Sequence, residues 1–243
     1  MTGLLKVRGL EKTTPAFRAR LVSSAEEFGI DPNWLASVIS FESAGTFAAD
    51  VTFGGGRYRG SQDNAKAVGL IQFTNVALDA MKRRGAAVTK AELAAMSAEE
   101  QLEWVRIYLQ TVLGSRRMMS LDDVYMAVFA PSAVGKSDST VLYSEPSASY
   151  TANKVLDANG DGHITRAEAC AQVRSIYARA KQAGVLAEGG EGAALVVFPD
   201  SGRDSLDDLS EIRKSVADAR TEICARLDGM NASLRELVAR LGA

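Results

Sequence analysis

The sequence predicts a mainly α-helical domain followed by a linker and a C-terminal amphipathic, coiled-coil-like helix. Three observations predict it. Helix-starting signals recur along the chain, at Asp31-Pro32, Ser97-Ala98-Glu99-Glu100 and Ser120, each leading into apolar residues at helical spacing. Strand-like alternation is scarce. From Leu209 to Leu241 the apolar residues step by three and four, as on the seam of a coiled coil.

Taken in order, residues 1–16 read as an arm ending at Thr13-Thr14-Pro15. The main domain is placed at 17–183. Its first helix runs from Ala16 to Phe28 and stops at Gly29; the second starts at Asp31, a good N-cap, with Pro32 where no N–H is needed. Ala44-Gly45 ends it. Residues 46–68 form a Gly-rich loop or small hairpin containing Gly54-Gly55-Gly56 and Tyr58, long enough in a compact domain to be functional. A helix from Asn75 to Arg84 ends at Gly85. The Ser97–Glu100 capping box opens a long helix carrying Leu102, Val105, Ile107, Tyr108, Leu109 and Val112. Ser120 caps a helix that reaches Phe129 and closes at Pro131. Residues 184–204 read as a linker holding one strand-like run, Leu195-Val196-Val197-Phe198. The helix at 205–243 has a stutter between Ile223 and Leu227, and its seam is too narrow to be stable alone. It either docks on its own domain or, as we prefer, pairs between chains as an oligomer or particle anchor.

At 243 residues the chain can hold one sizeable core plus an appendage. A formal net charge of −2 provides no basic footprint for nucleic acid or a membrane surface, and no stretch approaches the ~20 apolar residues of a membrane span. Cys170 and Cys224 match no metal or redox spacing and are expected to be reduced, partly buried thiols. His163 is the only histidine, which argues against a His-dependent triad.

Within the second helix, Leu35, Val38, Ile39 and Glu42 fall at i, i+3, i+4 and i+7, so an acid shares the apolar face. Burial and the negative end of the helix dipole both disfavour its charged form. A glutamate so placed is prepared to act as a general acid near neutral pH. The plainer alternative is a helix-end Glu that swings into solvent.

Further along comes Ala67-Val68-Gly69-Leu70-Ile71-Gln72-Phe73, and then Tyr125-Met126-Ala127-Val128-Phe129-Ala130-Pro131. Phe41-Glu42-Ser43 followed by Gly69-Leu70-Ile71-Gln72 resembles the Glu-Ser and Gly-Leu-Met-Gln motifs of lytic transglycosylases and goose-type lysozymes. The third stretch lies where that superfamily carries Ala-Tyr-Asn-Ala-Gly, with Phe129 in place of the Tyr and no Asn; this form resembles transglycosylase-like proteins of bacteriophages. The resemblance covers roughly residues 17–180 and implies a lysozyme-like helical domain with a small β element. It implies that Glu42 is the catalytic acid and that the Gly69–Gln72 turn lines a saccharide groove. Ser43 and Gln72 are then expected to bind acetamido or hydroxyl groups or to orient Glu42. Phe129 would flank the groove, with Tyr150 or Tyr143 as candidates for the groove aromatic missing at Phe129; core packing is the plainer role for each.

Asp157-Ala158-Asn159-Gly160-Asp161-Gly162-His163-Ile164-Thr165-Arg166-Ala167-Glu168 fits the twelve-residue EF-hand loop. Asp157, Asn159 and Asp161 supply side-chain oxygens, His163 its carbonyl, and Glu168 the closing carboxylate. Hard oxygen donors at this spacing suit Ca²⁺ better than a softer metal. The plainer alternative is a solvated acidic turn. A single hand is expected to be structural, stapling the loop, and some lytic transglycosylases carry such a site.

The reaction implied is cleavage of the β-1,4 bond between N-acetylmuramic acid and N-acetylglucosamine in peptidoglycan. A transglycosylase needs one carboxyl, whereas inverting hydrolysis needs a second one to hold water. Asp63 is the candidate for that second carboxylate and Asp50 a weaker one; a surface aspartate is the alternative for both. A non-catalytic virion protein keeping the fold is the competing class. No apolar run long enough for a signal peptide stands at the N-terminus. The expectation is therefore synthesis in the bacterial cytoplasm and access to glycan strands as part of a virion or tail, or through a pore.

Overall fold

A computed structural model of the chain describes residues 3–53, 55–60 and 65–186. These fall into two units, one running to Leu142 and resuming at Thr165, the other formed by Tyr143–Ile164. Asp63, Cys224, the linker from residue 187 onward and the C-terminal helix lie outside the described residues.

The larger unit is mainly helical, and its helices start where polar side chains can take up free backbone N–H groups. Helix α1 (Pro15–Glu27) begins with Thr14 accepting from the Phe17 amide at 3.0 Å. For α2 (Pro32–Glu42), Asp31 accepts from Asn33 at 2.8 Å. A hairpin of β1 (Ala67–Val68) and β2 (Phe73–Thr74) follows. Thr74 caps α3 (Asn75–Arg83). Helix α4 (Lys90–Ala95) has a full capping box from Thr89 and Glu92, and α5 (Ala98–Leu113) has one from Ser97 and Glu100. Ser120 caps α6 (Leu121–Phe129). In the smaller unit a strand enters, β3 (Val141–Ser144), then α7 (Ala148–Asn153), and β4 (His163–Thr165) leaves; β3 and β4 form a two-stranded sheet. The chain returns to the larger unit in α8 (Arg166–Ala183).

Helix α2 is the centre of the larger unit and packs against α1, α6 and α8. All residues from Leu35 to Ser40 are buried, which is what a helix with neighbours on every side requires. Leu35, Val38 and Ile39 are fully buried, each contributing about 1.5–3 kcal/mol by removal from water. Its end, and therefore Glu42, is held from several directions.

Two boundaries differ from the sequence reading. Residues 4–12 are part of the larger unit rather than an arm: Val7 and Leu10 have no exposed surface, and the Leu5 amide donates to Asn33 Oδ1 at 2.7 Å. Leu5 also bridges Val185, with Lys6 N–H on the Gly184 carbonyl and Leu186 N–H on that of Leu4. Gly184–Leu186 is thus paired chain, not linker. Such pairing is long-range and leaves no periodic trace in so short a segment.

Cys170 is a free, buried thiol, and burial pushes its pKa up to about 12. No helix among the described residues is long and apolar enough to cross a membrane.

Candidate active site

Glu42 is the last residue of α2 and is half-buried. The chain reverses directly after it. Ser43 N–H donates to Ile39 O at 2.8 Å and Gly45 N–H to Ser40 O at 2.7 Å. Ser43 has no exposed surface, and its Oγ accepts from the Phe47 amide at 3.1 Å. Its hydroxyl oxygen therefore helps hold the reversal that directly follows Glu42. Ala44 and Phe47 take φ of 57° and 52°, a region that disfavours side chains and is kept where surrounding structure over-determines it. Here the Phe47 ring is buried edge-on to Phe17, centroids 5.7 Å apart. The strain is spent fixing the backbone behind Glu42.

The Gly69–Gln72 stretch is the turn of the β1–β2 hairpin, between paired Val68 and Phe73. Gln72 N–H donates to Gly69 O at 3.1 Å, and Gly69 N–H reaches across to Val51 O at 2.7 Å. Gly69 and Gln72 have φ of 84° and 53°. A buried residue that sequence reading passed over, Gln101 on α5, clamps this turn. Its Oε1 accepts from Leu70 N–H at 2.7 Å, while Nε2 donates to Ala49 O and Leu93 O at 3.0 and 2.7 Å. A Cβ on residue 69 would stand 2.2 Å from Gln101 Oε1. Gly69→Ala is therefore expected to lose about 1–3 kcal/mol of stability through the clash and the positive φ. Urea denaturation checks this; a midpoint equal to wild type would contradict it. Gln72 donates through Nε2 to Val51 O and Gly69 O at 3.1 and 3.0 Å. Its amide hydrogens thus serve the turn, and its buried Oε1 accepts no hydrogen bond among the described residues.

The third stretch comes up to the end of α2 through aromatic rings. Phe41 meets Tyr125 edge-on at 5.5 Å, and Tyr125 stacks on the half-buried Phe129 at 5.5 Å. Tyr108 of α5 joins the second stretch to the third. Its ring lies edge-on to Phe73 at 6.1 Å, and its hydroxyl donates to Ala127 O at 3.1 Å, with Val128 O at 3.4 Å. Burial first, and then the charge of nearby Glu42, raise the Tyr108 pKa well above the usual phenol range. In sequence this residue is one more apolar position on a helix. The available signal was a phenol on a buried stripe, which must find a partner for its hydroxyl.

Of the carboxylate candidates, Asp50 pairs with Arg57. Its neighbour Val51, not Asp50 itself, offers the carbonyl that receives both Gly69 and Gln72. Asp63 lies outside the described residues.

In the smaller unit the buried Tyr150 gives its hydroxyl to Asp157 Oδ2 at 2.7 Å. It is committed there to the acidic loop rather than presented as an open groove aromatic. Tyr143 is half-buried in the same unit. Asp157 also accepts from Gly160 N–H at 2.8 Å and Gly162 N–H at 3.0 Å. The Tyr150 hydroxyl, then these amides, hold its carboxyl below the usual range. Asn159 Oδ1 accepts from Asp161 N–H, and Asp161 Oδ1 from His163 N–H, each at 2.9 Å. Gly160 and Gly162 take φ of 73° and 81°, the turn glycines such a loop needs. The His163 imidazole is exposed and bonds Ser144 Oγ through Nδ1 at 2.9 Å. In the larger unit Glu168 Oε2 accepts from Thr165 N–H and Oγ1 at 2.8 and 2.6 Å. No group of three or more His, Cys, Asp or Glu fit to hold a metal occurs among the described residues.

Compared with protein families, curated proteins and solved structures, the chain matches none.

Proposed function

We propose that this chain is a peptidoglycan lytic transglycosylase in which Glu42 is the catalytic residue. What carries the reading is one convergence. Stretches far apart in sequence, ending at Glu42, Phe73 and Phe129, meet around Tyr108 and the Phe41–Tyr125–Phe129 rings. These are the stretches that resemble the three motifs of the superfamily. Glu42 protonates the departing glycosidic oxygen between N-acetylmuramic acid and N-acetylglucosamine. The same carboxylate then takes the proton of the muramic C6 hydroxyl, whose oxygen closes a 1,6-anhydro ring. No water is consumed, and no second carboxylate is required. In this reading Gly69 and Gln72 line the saccharide groove and Phe129 flanks it. The test is release of soluble glycan from purified murein by wild type and by Glu42→Gln: release by wild type alone supports the reading, equal release by both removes it.

Inverting hydrolysis is the second reading, with Asp63 as its candidate second carboxylate and Asp50, engaged with Arg57, the weaker one. Reducing-end products would select it.

The acidic loop is proposed to hold a structural Ca²⁺ through Asp157, Asn159, Asp161, the His163 carbonyl and Glu168. The oxygen-only donor set and the turn glycines fit that ion. Adding Ca²⁺ at about 100 times its Kd is expected to raise stability by about 2.7 kcal/mol, read as a higher Tm than in chelator. Glu168→Gln should lose most of that gain. Equal melting in both conditions would argue for a metal-free turn.

The helix at 205–243 is proposed to join copies of the chain or to anchor it in a phage particle, which would bring a protein made in the cytoplasm to the cell wall.

A further inference from the structure

The N-terminal segment is bonded to both ends of the helix that carries Glu42. In the first turn of α2, Asn33 Oδ1 accepts from the Leu5 amide at 2.7 Å; in the last turn, Ser40 Oγ donates to the Arg8 carbonyl at 2.8 Å. Asn33 and Ser40 are 2% and 1% exposed, so water has little access to either side chain.

Gly9 then passes directly against the reversal that follows Glu42. It takes a φ of 88°, and a Cβ on residue 9 would stand 1.9 Å from the Gly45 carbonyl oxygen and 2.7 Å from the carbonyl carbon. Glycine alone permits that backbone and that approach. Neither side of the contact is free to retreat. Gly45 N–H is tied to Ser40 O at 2.7 Å and Ser43 N–H to Ile39 O at 2.8 Å. Across from them, Val7 and Leu10 have no exposed surface, and Lys6 N–H and Leu4 O are paired with Gly184 and Leu186. Glu42 lies in the sequence between Ser40 and Gly45, the two points that this segment holds.

We propose that Arg8-Gly9 is a positioning element for the Glu42 reaction: the Ser40 hydroxyl on the Arg8 carbonyl and the close contact of Gly9 with Gly45 fix where α2 ends and so where the Glu42 carboxyl is presented. The segment acts through the backbone on either side of Glu42. This rests on the proposed transglycosylase reading.

Gly9→Ala would force the two backbones apart by about 1 Å, and a shift of that size in a reacting group can cost up to about 10²-fold in rate. With solubilised murein glycan as substrate, Gly9→Ala is expected to lower kcat at least about tenfold with KM within about twofold. The same change in the Glu42→Gln background should lower the residual rate by less than about twofold, because no proton transfer remains to be misplaced. A simple loss of folded protein would lower both backgrounds alike. Ser40→Ala leaves the backbone intact and removes only the hydroxyl; it should cost about threefold in kcat, again with no further loss in Glu42→Gln.

Wild-type kcat in folded Gly9→Ala overturns the inference, as does an equal loss in both backgrounds. If Gly9→Ala does not fold, Ser40→Ala decides: a loss seen only where Glu42 is present supports the inference, and wild-type kcat or an equal loss in both backgrounds overturns it. Should wild type itself show no Glu42-dependent turnover, the function reading fails and takes the positioning role with it. Should wild type turn over normally and Gly9→Ala match it, only the role of Arg8-Gly9 falls.

Discussion

Arg166→Leu is expected to lower folding stability by about 3–5 kcal/mol, the cost of leaving a buried carboxylate without its partner. The Arg166 side chain is only 6% exposed and donates to Asp123 Oδ1 at 2.8 Å, Asp138 Oδ1 at 2.9 Å and Asp122 Oδ2 at 3.4 Å. Asp123 is equally deep, and it also accepts from Met119 N–H and Gly135 N–H at 2.9 and 2.8 Å. Those amides cannot replace a full positive charge. Arg174, more exposed, shares Asp122 and Asp138, so Arg174→Ala should cost only about 1 kcal/mol. Lysine at 166 should recover little, because three acceptors are met by a planar fork rather than a point charge. The pair is not ideal in itself, since Arg166 Nε is buried without a hydrogen-bond partner among the described residues. Replacing Arg166 and Asp123 together by apolar residues should therefore cost less than Arg166→Leu alone. Urea denaturation of the four variants decides it; equal stability of Arg166→Leu and wild type would contradict the argument. Because Arg166 opens α8 and is bonded to the first turn of α6, the loss should be cooperative across the larger unit.

Glu42→Gln should lower murein cleavage by about 10²–10⁴-fold, the usual worth of a general acid–base group. The change preserves shape and removes only the ability to give and take a proton. Glu42 is half-buried at the end of α2, so the fold should tolerate the amide, with Tm within a few degrees of wild type. That separation matters, because a variant that loses activity by unfolding says nothing about chemistry. Asp50→Asn is the paired control. Its carboxylate is engaged with Arg57, and in a transglycosylase its loss should change the rate far less than loss of Glu42 does.

The elements that local chemistry defines could be read from sequence. Asp31-Pro32, the Ser97 box and Ser120 mark helix starts because each satisfies free N–H groups within three residues. The place of Glu42 at the end of α2 was legible too, because it is a matter of spacing alone. Helix α4 was missed although Thr89 and Glu92 form a complete box; only six residues follow, too few to display a period. Gln101 and Tyr108 were not legible as site residues. Their importance lies in partners far away in sequence, Leu70 and Ala49 for one and Ala127 and Phe73 for the other, and no local pattern records such pairs. For Ser43 and Tyr150 the sequence left a groove contact and a role within the protein both open; their hydroxyls bond Phe47 N–H and Asp157. The C-terminal helix and Asp63 lie outside the described residues, so for them the sequence pattern stands alone.

The central claim is that one carboxyl, Glu42, cuts the glycan by intramolecular ring closure. Mass spectrometry of the muropeptides released from purified peptidoglycan by wild type and Glu42→Gln tests it most directly. The account predicts 1,6-anhydro products from wild type, lighter by one water than hydrolysis products, and none from Glu42→Gln. Reducing-end products, or no Glu42-dependent product from folded protein supplied with Ca²⁺, would contradict it.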